Sequence, residues 1–285
     1  GSYEEALADP AIDVAVVCTP TASHRTLALA ALAAGRHVVV EKPAFMHAAD
    51  ADVVRDAAAA ARRRVFVAEN YVYKPAAAHL RALVADGALG QVRFVSINAT
   101  KRQPATGWRG DPALSGGGAL FEAGVHWVSF ASNIGLEVES LHAWRVGGEP
   151  GADLSSLLVF RYVGGAVGTL AHSWELRAPF GGMRLSKVQG TRGAVTFESN
   201  GFAMLTTGRR PSLRVPAFRD PLGYRGMWAD FLGALRTGGP TLFTLDHAQR
   251  DLMLLEVATR MMREQDAAPL RPVASPRPAE LLSGS

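Results

Sequence analysis

The chain has very little cysteine: Cys18 is the only one in 285 residues. That excludes a disulfide framework and any cysteine-built metal site, and it predicts a cytoplasmic setting. Long apolar runs are also missing. None approaches the ~18 residues that a membrane span needs, and the start has no signal-peptide pattern, so no membrane is expected. Massed positive charge is missing too. The formal net charge is +4, but the arginines are scattered, and Arg62-Arg63-Arg64 and Arg209-Arg210 are short. A nucleic-acid surface needs a basic stripe or a known module, so no nucleic-acid partner is expected. There is no internal repeat. No strand is followed by a G-x-G-x-x-G turn, the usual phosphate cradle at a helix N-terminus.

What is present is ordinary globular composition, with 48% hydrophobic and 20% charged residues. Ser2 followed by Glu5 is a capping-box pattern and predicts a short helix over 2–8. Asp13–Thr19 and residues 37–40 read as buried strands, and Val65–Ala68 as a third. Alanine-rich helices are expected between them, to Ala34 and over 48–63. This alternation predicts a parallel sheet. After residue 72 the pattern changes. One helix over 75–85, strand-like 92–100 and a helix near Ala119 lead into strand-like segments 137–146, 154–163, 166–176, 183–189 and 193–198. Helices over 224–237 and 244–263 close the run. The expected class is α/β plus α+β: a partial Rossmann-type parallel sheet, then a large, mostly antiparallel open sheet with flanking helices. The expected division is 1–72 for the half Rossmann unit, 73–265 for a substrate and oligomerisation domain, and 266–285 for a loose tail.

The chemistry collects at strand ends. Val38-Val39-Val40 runs into Glu41-Lys42-Pro43, and proline stops the strand. Open α/β sheets bind ligands at the carboxyl ends of their strands. Three such ends, Thr19-Pro20, Glu41-Lys42-Pro43 and Glu69-Asn70-Tyr71, should share one rim. Lys42 there is a candidate proton mover; its plain alternative is a solvated ion pair. Glu122 and His126 stand four apart on an expected helix, one side chain to orient and one to transfer a proton. They follow Gly116-Gly117-Gly118, where glycine permits close backbone approach, by a ligand among other things. The plain alternative is a surface salt bridge.

DVAVVCTPTASH (13–24), AGRHVVVEKP (34–43), AENYVYKPAAAHLRALVADGALGQV (68–92) and GGGALFEAGVH (116–126) together resemble the glucose–fructose oxidoreductase / inositol dehydrogenase (Gfo/Idh/MocA) family. The resemblance implies an NAD- or NADP-dependent oxidoreductase acting on a sugar, cyclitol or related polyol. It makes Lys42 the catalytic lysine and His126 the acid/base, with Glu122 beside it. It also implies a cofactor lined by Thr19, Pro20, His24, Glu41, Lys42, Asn70 and Tyr71, with Trp108 and Arg109 reaching back from a loop. Trp108 reads equally as a hydrophobic plug. A homo-oligomer through the large sheet is expected.

Two features depart from that family. Glu122 stands where an aspartate is usual. The glycine-rich first turn is absent, about 60 residues' worth of fold, and Ser115-Gly116-Gly117-Gly118 is no substitute. That leaves 13–19 as an expected edge strand and predicts weak nucleotide binding by this chain. Two other functions remain open on these residues: a cofactor-independent lyase or epimerase, and a non-catalytic assembly protein.

Overall fold

The structure, a computed structural model, describes residues 1–104, 106–147, 153–178, 183–209, 211–215 and 220–265. The expected tail lies outside the described residues. The first helix, Tyr3–Ala8, carries the full capping box: Glu5 N–H donates to Ser2 Oγ at 3.1 Å and Ser2 N–H to Glu5 Oε2 at 2.9 Å.

Three parallel strands follow in spatial order β1-β2-β3: Val14–Val17, His37–Glu41 and Val65–Ala68. Val17 pairs with Val40, Val40 with Val67 and Glu41 with Ala68, so the three carboxyl ends lie side by side. Alternation sends Val38 and Val40 to one face, under helices His24–Ala33 and Asp50–Ala61. Val39 and Phe66 go to the other, where Met227, Phe231 and Ala234 of helix Tyr224–Thr237 cover them. Phe66 and Phe231 stack at 4.8 Å. A late helix therefore completes the early sheet. Its cover is only partial at β1, where Val14 packs against this cluster but Val16 is 49% exposed. Cys18 falls just past β1 and is exposed, not buried in a strand.

The second sheet has eight strands in the order β11-β10-β9-β8-β4-β7-β6-β5. These are β4 Val92–Thr100, β5 Val138–Arg145, β6 Ser155–Tyr162, β7 Val167–Ser173, β8 Leu185–Gly190, β9 Gly193–Glu198, β10 Met204–Gly208 and β11 Ser212–Arg214. All pairs are antiparallel except the central β4–β7 pair. Gly164 and Gly165, at φ +88° and +85°, make the β6–β7 hairpin with the positive φ that a tight primed turn demands. Strands β10 and β11 were not expected.

Helices Val125–Ser132 and Leu245–Gln265 lie on the inner face of this sheet and share one continuous core with the helices of the first. Helix 245–265 also reaches the first unit by side chains. Arg55 bonds Asp246 and Gln249, and Ala48 N–H donates to Glu256 Oε1 at 2.9 Å. No helix among the described residues is long and apolar enough to cross a membrane.

Candidate active site

The rim of the parallel sheet faces helix 125–132. Lys42, one residue past β2 and before a cis peptide to Pro43, points its ammonium across the gap. Lys42 Nζ donates to the main-chain oxygen of Glu122 at 2.7 Å and lies 3.5 Å from Glu122 Oε1. Arg109 Nε donates to the same Oε1 at 3.1 Å, and its guanidinium lies 4.7 Å from the Trp108 ring. Glu122 is thus the anionic hub that joins Lys42 and Arg109.

Glu122 and His126 are not a pair. The expected regular helix begins instead as a π-helical turn, Leu120–Gly124, before the α-helix from Val125. The wider turn changes the angular step per residue, so i and i+4 no longer sit in line. Glu122 turns to Lys42 and Arg109. His126 Nδ1 lies 2.8 Å and 3.0 Å from the two carboxylate oxygens of Glu69, at the end of β3.

The triple glycine makes room for the chain itself rather than for a ligand. A Cβ on Gly116, at φ +89°, would collide with the Phe121 ring, and one on Gly118 would collide with Asp153 Oδ1. Asp153 holds the start of the π turn, accepting Leu120 N–H at 2.8 Å and, through its main-chain oxygen, Ala119 N–H at 2.7 Å.

A carboxylate on Nδ1 fixes the imidazole tautomer. Nδ1 carries the hydrogen and Nε2 keeps the lone pair. Burial pushes the His126 pKa down, against the upward pull of Glu69. The ring is therefore a neutral base at neutral pH. Tyr71 stacks on it at 4.3 Å with 12° between planes. On Tyr71 lies the ammonium of Lys74, 3.6 Å from the ring centroid. Lys74 is 1% exposed, and its Nζ has no hydrogen-bond partner among the described residues. Burial, with the charge of Arg184 next, lowers its pKa to about 8.

The remaining expected cofactor contacts divide. Thr19, Pro20 and Glu41 line the rim. Thr19 Oγ1 pairs with Ser23 Oγ at 2.6 Å, and Glu41 Oε2 accepts Lys42 N–H at 3.1 Å. Burial raises the Glu41 pKa. His24 is committed internally, only 1% exposed. Its Nε2 lies 2.8 Å from Thr19 O, and its Nδ1 lies 3.0 Å from Pro43 O and 3.2 Å from Ala44 O. It ties two strand-end loops together. Asn70 is likewise buried, donating to Leu222 O at 2.7 Å. Tyr71 has His126 against one ring and Lys74 over its centroid.

The residues that sequence reasoning left out come from the sheets. Glu69 was visible as part of a rim, but its partner was not. Lys101 follows β4, Arg184 precedes β8, and His172 lies on β7. Their alternation marks them as facing the core side. Nothing local marks them as neighbours of His126, and the pairing register that gathers them is non-local.

Residues 1–69 match the model described as an oxidoreductase family with an NAD-binding Rossmann fold, and residues 77–196 match a GFO/IDH/MocA C-terminal domain. The chain is 32% identical over 182 residues to trans-1,2-dihydrobenzene-1,2-diol dehydrogenase of Bos taurus, covering 61% of this chain and 52% of that one. It is 30% identical over 233 residues to the Xenopus laevis enzyme of the same name, covering 79% and 68%. It thus spans about half the length of some of these relatives. Among solved structures it is similar to GenD2 from gentamicin A biosynthesis in complex with NAD, with TM-score 0.79 and 28% identity, covering 92% of this chain and 80% of that one. With both sheets, the lysine at the second strand end and both family models in sequence order, this chain belongs to the GFO/IDH/MocA oxidoreductase family.

Proposed function

We propose that this chain carries the nicotinamide side and the substrate side of an NAD(P)-dependent dehydrogenase acting on a CH–OH group of a sugar, cyclitol or related diol. The observation that carries this reading is the meeting of two proton-handling groups across one gap: Lys42 from the strand end and the His126–Glu69 pair from the facing helix. The strand ends suit a nicotinamide and its ribose, since Thr19 offers an exposed hydroxyl and Glu41 a half-buried carboxylate. No glycine-rich turn follows a parallel strand among the described residues, so none of them is assigned to the pyrophosphate.

A bound nicotinamide would take or give the hydride. The protein then has to move the hydroxyl proton. His126 Nε2 accepts it, and Glu69 supports the imidazolium that forms. The Lys42 ammonium donates to the alkoxide oxygen as charge builds there. Glu122 and Arg109 keep that ammonium aimed at the gap. The outer face of the large sheet presents Phe94, Trp144, Val167 and Leu185 to solvent, which supports a homo-oligomer formed through that face. Sedimentation should show association that Phe94→Lys weakens; a monomer at all concentrations removes this part of the proposal.

The activity is tested with NAD and NADP against a panel of sugars, cyclitols and vicinal diols, following formation of reduced nicotinamide. Turnover in that panel supports the dehydrogenase. Elimination or epimerisation without any nucleotide overturns it in favour of a lyase or epimerase.

A further inference from the structure

Lys74 has no part in the proton transfer between Lys42 and His126, yet it belongs to the same stack of side chains. The His126 imidazole lies parallel to the Tyr71 ring at 4.3 Å, with 12° between planes. The Lys74 ammonium lies 3.6 Å from the centroid of that same ring. At those distances an ammonium and a parallel imidazole would collide on one face, so they take opposite faces and Tyr71 lies between them. Trp127 walls the ammonium as well: its ring stands edge-on to Tyr71 at 5.1 Å, and its centroid is 5.6 Å from Nζ.

Packing alone does not explain a lysine here. Its Nζ has no hydrogen-bond partner among the described residues, and the residue is 1% exposed. Burying an ammonium this way costs free energy that a methionine of similar reach would not. Lys74 is also the N-cap of helix Pro75–Ala85, where a cation opposes the helix dipole. The helix uses only its main-chain oxygen, which accepts Ala78 N–H at 3.1 Å.

The surrounding charges give the ammonium a distinct part. Beneath the larger effect of burial, Glu69 raises the His126 pKa while Lys42 and Lys74 lower it. His126 in turn acts on His172 of β7. Lys74 itself, brought down to about 8 mainly by burial, is lowered further by Arg184 and Lys101 and raised by Glu69 and Glu198. It therefore stays largely charged at neutral pH. The Tyr71 hydroxyl, pushed up to about 12 by burial, stays neutral and adds no charge to the stack. Lys42 is ion-paired to Glu122, whereas the Lys74 ammonium rests on rings.

We propose that Lys74 is a positioning residue of the dehydrogenase: its ammonium, seated on the face of Tyr71 opposite His126, holds the imidazole in its neutral, proton-accepting form. Glu69 fixes which nitrogen of His126 carries the hydrogen, and Lys74 opposes the gain of a second one. The proposal rests on the dehydrogenase reading and adds a residue that touches neither substrate nor cofactor.

The test is the titration of the His126 ring, followed by NMR of the full chain with labelled histidine and assigned by loss of its signal in His126→Asn. In Lys74→Met the His126 pKa should rise by ~0.5–1.5 units, the range for one charge removed from the far side of a ring. Lys74→Arg keeps the charge and should keep most of the wild-type value. Thermal melts check folding, and Lys74→Gln carries the same test if the methionine variant does not fold. Where turnover is found, the acid limb of kcat/KM should rise with the ring in Lys74→Met and stay in Lys74→Arg. An unchanged or lowered His126 pKa in Lys74→Met overturns the proposal, as does an equal rise in Lys74→Arg, which would make the effect one of shape. The titration needs no turnover. Absence of activity across the substrate panel removes the dehydrogenase reading, while an unmoved titration removes the role of Lys74 alone.

Discussion

Lys42 and Lys74 meet the same site from two sides, and the chain treats them in opposite ways. Lys42 is held by oxygens: a main-chain carbonyl at 2.7 Å and a carboxylate at 3.5 Å. Lys74 is held by rings, and its Nζ has no hydrogen-bond partner among the described residues. Oxygens give an ammonium a direction, which a group that meets a substrate needs. Rings give it a place without a direction, and they leave its charge easy to remove. Position on the sheet decides which treatment a lysine receives. Lys42 stands at an open strand end; Lys74 begins a helix beneath Tyr71 and Trp127.

The largest effect expected on this contrast comes from Lys42→Met, which should lower kcat by ~10²–10⁴-fold, the scale of lost acid–base help. Normal turnover by the variant would make Lys42 structural and dissolve the contrast. Next come Glu69→Gln and His126→Asn. If Glu69 acts only through the ring, the double variant should lose no more in kcat/KM than the worse single one. Independent, additive losses would break the pair. The pH profile sharpens the same point. With its pKa lowered, His126 stays neutral and competent as pH falls below the ordinary histidine range, so the acid limb should lie below 6.5. Glu69→Gln removes the upward pull of the carboxylate and should move that limb lower still.

Smaller effects concern stability. Lys74→Met should be neutral or stabilising by up to about 2 kcal/mol, because the lost ring contact and the relieved burial of charge nearly offset. The sign with pH can be checked separately. The folded pKa is about 8, below the unfolded value, so between about 8 and 10.5 the unfolded chain binds more protons. Wild-type stability should therefore rise through that window relative to Lys74→Met. Denaturant midpoints at pH 8 and pH 10 decide it; a parallel response of the two proteins sinks the buried-charge account. For His172 the folded pKa falls to about 3 with burial as the leading cause. The unfolded ring charges first as pH drops below about 6.5, so stability should fall from there toward pH 3. His172→Gln should flatten that slope.

The same contrast shows what could be read from the chain. The rim was legible because each strand announces its own end: β-branched residues stop at Thr19-Pro20, at Glu41-Lys42-Pro43 and at Glu69-Asn70. The capping box of Ser2 and Glu5 and the Gly164-Gly165 hairpin are local signals of the same kind. The partner of His126 was not legible, since Leu120–Gly124 has the composition of an ordinary helix. Its π turn accompanies Asp153, more than 30 residues away in the chain, and the Phe121 ring over Gly116. Lys101, His172 and Arg184 were missed for a related reason: only sheet register brings them together. Strands β10 and β11 were missed because they are short and mixed in character, and their pattern becomes meaningful only beside β9.

The helix 245–265 has a mechanical meaning. It is clasped by Ala48 and Arg55 of the first unit and packs along β5 of the second. Lys42 belongs to one side and His126 to the other, so the gap between them is spanned by a rigid strut rather than a hinge. Thermal expansion, crowding or a bulky ligand then changes that gap by bending a rod of about 30 Å. That is a stiff coordinate, and it makes the distance between proton donor and proton acceptor a property of the scaffold.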